Sequence, residues 1–545
     1  MTADLILTEA SVRTMDKSNP HSEAVAIGGN KILAVGTAKE MATYRGPRTK
    51  EIALEGRMVM PAFIEGHAHL MKLGQKYLCL NFDAAKSWDE ILHQVKKEVE
   101  RTPEGQWIYG RGWHQARWDQ LPADAVEGLP VNAELDLIAP NHPVILTHNS
   151  GHILIVNSLA IKLAGVNKDT PDPEGGDKLK LANGELTGVF REAAREDIYA
   201  AYQKALSSRP ATEIKAANDR TLDAAINALH SHGIATFHDM MTTFQEYDFF
   251  LDRAEENGLG VRVLAFIHEE PERLKERLAS ARHQGKENWL KITALKRFMD
   301  GAFGSNTALM LEPYADKLND IGLYYDSEEK IAETIQLAIE HQLQMAIHAI
   351  GDRAVREVLD HYQRAAETHP LVRQARWRLE HAAAIHPDDL PRFNQLGVLA
   401  PIQGSFVASD ADFLLERLGE ARCKERAYVF STMQDMGIPL SNGTDSPIED
   451  IDPFYCLYST MARKRPGEDN GFFPEQGLTV QEALESYTVN AAYSGKEEAI
   501  KGSLEPGKLA DLAIISHDLV SEGVESIPEA KIDMTMVDGK IVYEA

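Results

Sequence analysis

The stretch Met60-Pro-Ala-Phe-Ile-Glu-Gly-His-Ala-His69 runs an apolar segment directly into two histidines, His67 and His69. In an extended chain the side chains at i and i+2 point to the same face. The spacing therefore predicts a buried strand that presents two imidazoles at its C-terminal end. Neutral imidazole is the commonest metal ligand. Taken alone, the pair also fits two ordinary polar residues at a strand exit, and the rest of the chain decides between the two readings.

Seven further apolar runs end in a polar group. Residues 234–237 lead into His238-Asp239, residues 261–267 into His268, and residues 295–299 carry Lys296 and lead into Asp300. Residues 345–347 end at His348, 377–379 at Glu380-His381, 397–402 at Gln403, and 439–443 at Thr444-Asp445. Helical stretches alternate with these runs, as expected of strand–helix units around a parallel sheet. Eight such units predict an α/β fold of the (β/α)8 type, a TIM barrel whose active site lies at the C-terminal ends of its strands.

One spacing is out of scale, from His69 to His238. Residues 75–215, with Trp88, Trp107, Trp113 and Trp118, are expected to form an inserted α/β subdomain, a lid over the barrel mouth. Short β runs at 5–7, 24–27, 31–35 and 50–54 resemble those at 510–515, 534–537 and 540–543, the last two joined by an Asp538-Gly539 turn. Neither end has enough strands to be stable alone. The expected layout is 1–57 and 496–545 as the two parts of a small β-sandwich, 58–74 as barrel strand 1, 75–215 as the insert, and 216–495 as the rest of the barrel.

Composition narrows the function classes. The 545 residues are 43% hydrophobic and 26% charged, with a formal charge of −26. So acidic a chain lacks the basic face that nucleic acid or an anionic membrane requires. The three cysteines, Cys79, Cys423 and Cys456, make neither a disulfide framework nor a Cys-x-x-Cys metal pair. The first ten residues have no basic stretch followed by a long apolar one, and no run reaches the roughly 18 apolar residues of a spanning helix. A cytoplasmic location is expected, with a small molecule as the partner and neither nucleic acid nor membrane; a homodimer is compatible with all of this.

In a barrel, His67, His69, Lys296, His348, His381 and Asp445 would face one mouth. Each alone has a plainer role: a hydrogen-bonded strand-end histidine, a solvated lysine beside Arg297, an aspartate capping the Ser-Pro turn after it. Together, four imidazoles and a carboxylate form the nitrogen and oxygen set suited to Zn²⁺ and similar ions.

At these residues the chain resembles the amidohydrolase superfamily, in its YtcJ-like branch (amidohydrolase family 3). The matching stretches are Pro61-Ala-Phe-Ile-Glu-Gly-His-Ala-His69, residues 296–308, His348-Ala-Ile-Gly-Asp-Arg353, Glu380-His381, Gly443-Thr-Asp-Ser-Pro447 and residues 502–511. Within the insert, Gly112-Trp113, Leu135-Asp136, Gly151-His152 and Asn157-Ser-Leu-Ala160 match as well. The sequence departs from the family pattern at Ala62, where glycine is usual, at Glu65, where aspartate is usual, and at Thr147-His-Asn-Ser, where relatives often carry an arginine.

The resemblance implies that His67 and His69 ligate the more buried metal, that His348 and His381 ligate a second, and that Asp445 is both a ligand and the residue that moves protons. It implies a lysine at 296 carboxylated at its ε-nitrogen to bridge two divalent ions, zinc by the donor set. A single ion beside an unmodified Lys296 is the alternative. The implied activity is hydrolysis of a non-peptide C–N bond, in an amide, an N-formyl or N-acyl group or a cyclic amide, by a metal-activated hydroxide. A deaminase or an ester or lactone hydrolase on the same centre is the second reading, and a non-catalytic regulatory or scaffolding barrel the third.

Four more residues are candidates for substrate contact: His152, Trp113, His238 and Gln403. Each has a structural counterpart, loop holding for His152, packing for Trp113, hydrogen bonding behind the ligands for His238 and core structure for Gln403.

Overall fold

The run that ends in the two histidines is a strand, β1 (Phe63–Ala68), buried along its whole length. A strand buried on both faces belongs in a parallel sheet covered by helices. β1 pairs in parallel with β2 (Ile234–Thr242). After it come β3 (Arg262–Ile267), β4 (Leu290–Phe298), β5 (Gln344–Ala349) and β6 (Arg378–His381), each parallel to the one before. These six strands form a curled parallel half-barrel in strict chain order.

Two more strands, β7 (Ala400–Ile402) and β8 (Leu440–Asn442), pair in parallel with each other. A parallel bridge from Arg378 to Leu399 leads from β6 toward β7. On the other side, the Asp445 N–H donates to the His67 carbonyl and the His69 N–H to that of Ser446, so the end of β8 lies against the end of β1.

Each of the eight apolar runs overlaps a strand, with several boundaries shifted. Residues 58–61 of the expected first barrel strand form a separate strand of a chain-end sheet. Of residues 397–402 only 400–402 are strand, since Gly397 caps the preceding helix. β4 begins at Leu290, upstream of the expected run, because Lys291 and Thr293 alternate with Ile292 and Ala294 and hide the strand from an apolar-run reading. β6 takes in Glu380 and His381 themselves.

The computed structural model describes residues 1–173, 175–279 and 285–545. The chain divides into two compact units, Met1–Leu70 with Ile226–Ala545, and Met71–Ala225. In the first, helices follow the strands and bury one face. The helix Asp352–Thr368 turns Val355, Val358, Leu359, Tyr362 and Ala366 inward, the three-and-four spacing of an amphipathic helix. The same unit holds two further sheets, one from the N-terminal end alone and one from both chain ends. One contains Leu5–Thr8, Ala24–Gly28, Lys31–Gly36 and Lys50–Ala53; in the other, Met58–Pro61 pairs antiparallel with Leu512–Ile515. Leu7, Val25, Ile27, Val59, Leu512, Ile514 and Met536 form one apolar cluster drawn from both sheets.

The second unit has its own six-stranded sheet, in which Ile108–Trp113, Val144–His148 and Ile153–Val156 are central. Its core contains Trp88, Trp113 and Trp118 with Ile91, Val95 and Leu146.

Candidate metal centre

β1 and β8 end side by side, and their last residues bring the donors together. Asp445 Oδ1 lies 3.1 Å from His69 Nε2 and 3.6 Å from His67 Nε2. One donor atom each from His67, His381 and Asp445 falls within a span of 4.8 Å. Donors held tetrahedrally about 2.0–2.1 Å from a zinc ion stand roughly 3.3 Å apart, so the spacing is that of a ligand set.

The hydrogen bonds on the far side of each ring decide what the near side offers. His69 Nδ1 is 2.8 Å from the Met240 carbonyl, which can only accept, so Nδ1 carries a proton and, in the neutral ring a metal ligand requires, Nε2 holds the lone pair. His67 Nδ1 is 2.6 Å from Glu380 Oε2, and His381 Nδ1 is 2.6 Å from Gln403 Oε1. By the same logic both present a bare Nε2. His348 is turned the other way: its Nε2 lies 2.9 Å from the Gly301 carbonyl, leaving Nδ1 as the free acceptor.

Asp445 Oδ1 is itself buried without a hydrogen-bond donor among the described residues. Acceptor atoms 3.1–3.6 Å apart with no proton between them repel unless a cation sits among them. The donor set fits a divalent metal.

Electrostatics agrees. Burial drives the His67 and His381 imidazoles well below their ordinary range, with Lys296 and neighbouring rings adding to the effect. Burial, then Lys296, pushes His348 down to about 3. All three are neutral at physiological pH, the state a metal ligand requires. Lys296 is 1% exposed, and its Nζ has no hydrogen-bond partner among the described residues. Burial lowers its pKa to about 8, although Glu380 and Asp445 pull the other way.

The chain between residues 50 and 543 matches the profile described as the amidohydrolase family. The chain belongs to that family. Among curated relatives, this amidohydrolase is 32% identical to the protein LONG AFTER FAR-RED 3 of Arabidopsis thaliana over 99% of its length and 92% of the relative's. It is 30% identical to the putative amidohydrolase YtcJ of Bacillus subtilis over 98% of both chains. It is 27% identical to the N-substituted formamide deformylase of Arthrobacter pascens over 99% and 98% of the two chains. Among solved structures, a metal-dependent hydrolase from Pyrococcus furiosus superposes with a TM-score of 0.75 at 27% identity, covering 95% of this chain and 99% of that one.

The four residues read as substrate contacts have other partners in this amidohydrolase. Gln403 is buried, and its amide oxygen is spent on His381. His238 is buried between the Phe266 ring and Arg378, whose Nη1 lies 3.0 Å from its Nδ1. In the second unit Trp113 is fully buried in the core, and its Nε1–H bonds the Leu146 carbonyl at 2.9 Å. His152 is exposed and pairs with Glu192 at 3.0 Å.

Three buried groups that hold the site together were missed from sequence. Glu380 Oε1 and Oε2 accept from Arg378 at 2.7 and 3.0 Å while Oε2 also faces His67. Glu65 takes the backbone N–H of His67 and of Thr444 at 3.1 and 2.8 Å, tying β1 to the end of β8. Asp300 collects the N–H groups of Leu309, Ile350 and Gly351 and fixes the loop that carries the Gly301 carbonyl. A charged residue beside a ligand, as in Glu380-His381, was the one signal in the sequence that could have found Glu380.

Proposed function

We propose that this amidohydrolase cleaves a non-peptide C–N bond in a small molecule, an amide, an N-formyl or N-acyl group or a cyclic amide, with one or two zinc ions at the mouth of a (β/α)8 barrel. The observation that carries the proposal is the convergence of bare imidazole nitrogens on an undonated Asp445 carboxylate. A bound divalent cation supplies a water acidified toward neutral pH and a Lewis acid for the substrate carbonyl.

The residues supply the rest. His67, His69 and Asp445 would hold one ion and His348 and His381 a second, with Lys296 serving both. A donor atom of His381 also lies within 4.8 Å of those of His67 and Asp445, close enough to reach the first ion. Burial favours the neutral Lys296 amine, the form that adds CO₂ to give a carbamate. Asp445 Oδ1 takes a proton from the attacking water and returns it to the leaving nitrogen. Glu380, Gln403 and the Met240 and Gly301 carbonyls keep the four rings from turning. The formamide deformylase relative supports the C–N substrate class. A cytoplasmic location and a homodimer belong to the same reading; no described helix is long and apolar enough to cross a membrane.

The test strips the protein with a chelator, restores zinc, and assays both forms on N-formyl amines, N-acyl amines, cyclic amides, esters and lactones. Amine release that depends on zinc, with Asp445→Asn lowering kcat by about 10²–10⁴, is expected. Full activity in the stripped protein overturns the proposal, and release of ammonia or turnover of esters alone moves it to the alternative chemistry.

A further inference from the structure

Glu380 and Arg378 make a dry chain of contacts that ends on a metal-facing imidazole. Both side chains are fully buried. Arg378 donates through Nε and Nη2 to the two Glu380 oxygens, the two-pronged geometry that fixes a carboxylate plane. Two further donors are engaged: Nη2 also reaches the Gly66 carbonyl at 2.8 Å, and Nη1 faces His238 Nδ1 at 3.0 Å. The guanidinium lies 4.5 Å from the centre of the Phe266 ring, so its plane is held from one side too. Glu380 Oε2, aimed by this clamp, meets His67 Nδ1 at 2.6 Å.

β6 thus supplies His381 directly and reaches across the sheet, through the preceding residue, to orient the first histidine of β1. Arg378 closes the loop by also holding Gly66, the residue before His67.

We infer that Glu380 and Arg378 are positioning residues for the metal centre, acting as one unit: Arg378 sets the Glu380 carboxylate, and the carboxylate sets the orientation of His67. The inference rests on the reading of His67 as a ligand. A surplus ion pair in the interior is weak evidence for stability, since its desolvation cost rivals its attraction, whereas hydrogen-bond partners behind a ligand typically change metal affinity by 10–100-fold. A buried pair in which Nε and Nη2 of the arginine point at Glu380 and at the Gly66 carbonyl of the β1 ligand segment, with only Nη1 turned to His238 on β2, fits the second role.

The test uses the full chain, freed of metal and titrated with cobalt(II) against a competing chelator, following the visible d–d spectrum, with far-ultraviolet circular dichroism to confirm folding. Glu380→Leu removes the acceptor, Glu380→Gln keeps it, Arg378→Met removes the clamp, and His67→Ala removes the ligand. Cobalt affinity is expected to fall about 10–100-fold in Glu380→Leu and in Arg378→Met, and no further in the double variant. Glu380→Gln is expected to recover part of the loss and the native spectrum. Wild-type affinity and spectrum in a folded Glu380→Leu, or additive losses in the double variant, overturn the inference. Where Glu380→Leu does not fold, Glu380→Gln and Arg378→Met still decide it, since both binding as wild type refutes the relay. His67→Ala separates the two levels: unchanged cobalt binding there refutes the ligand reading itself.

Discussion

Gln403 illustrates how one atom determines the use of a residue. Its Oε1 accepts from His381 Nδ1 and so hands the Nε2 lone pair to the site. Gln403→Leu removes that acceptor and is expected to weaken zinc binding about 10-fold or more, whereas Gln403→Glu retains an acceptor and binds more tightly than Gln403→Leu; titration against a chelator checks both. Asp410 gives a pH prediction away from the ligands. It accepts from the Tyr428 hydroxyl, and burial raises its pKa from 3.8 to about 7. A carboxyl with a raised folded-state pKa favours folding when protonated, so its contribution is complete below about pH 4 and is lost as pH rises through 7. Asp410→Asn keeps an acceptor without the charge. Its melting temperature is expected to match wild type near pH 4 and to exceed it at pH 8.

At the scale of elements, the site depends on where strands stop. His381 and Asp445, the terminal donors of β6 and of the segment after β8, both adopt left-handed backbone, with φ of 72° and 56°. Non-glycine residues there cost about 1–3 kcal/mol each and cluster at functional sites; the turn swings each side chain out of the strand's alternation. β1 and β8 also approach too closely for side chains. A Cβ on Gly66 would run into the Asn442 carbonyl, and one on Gly443 into the His67 backbone and Glu65. Gly66→Ala is expected to cost about 1–3 kcal/mol and to lower the melting temperature, measured by calorimetry on the zinc form. The strands themselves were legible, because strands buried on both faces read as short apolar runs, here closed by polar residues. The left-handed ends were not, since neither histidine nor aspartate announces one.

At the scale of the molecule, the parallel sheet is tied to the sheets of the chain ends by a buried ion cluster. Arg262, on β3, is 1% exposed, stacks 4.6 Å from the Trp289 ring and pairs with Asp511 at 2.7 Å and Asp538 at 3.0 Å. Asp511→Ala leaves a buried guanidinium short of a partner and is expected to cost about 3–5 kcal/mol, read by denaturant unfolding. A divalent metal that binds the native state alone adds stability by mass action, so chelation is expected to lower the melting temperature and, on the proposed reading, zinc to restore it.

What the sequence determined by itself is local: which runs are strands, that they alternate with helices, and which end in groups able to bind a metal. These follow from side-chain alternation and from the cost of burying polar groups, both readable a few residues at a time. Tertiary structure alone decided which nitrogen of each histidine is bare, that Glu380 and Arg378 stand behind His67, and that Glu65 joins β1 to β8. Those pairings join different strands and loops, from 22 positions apart for His381 and Gln403 to 379 for Glu65 and Thr444, and exist only once the sheet has curled. His67 and His69 are adjacent in any strand; that their lone pairs meet Asp445 is settled by the hydrogen bonds behind them.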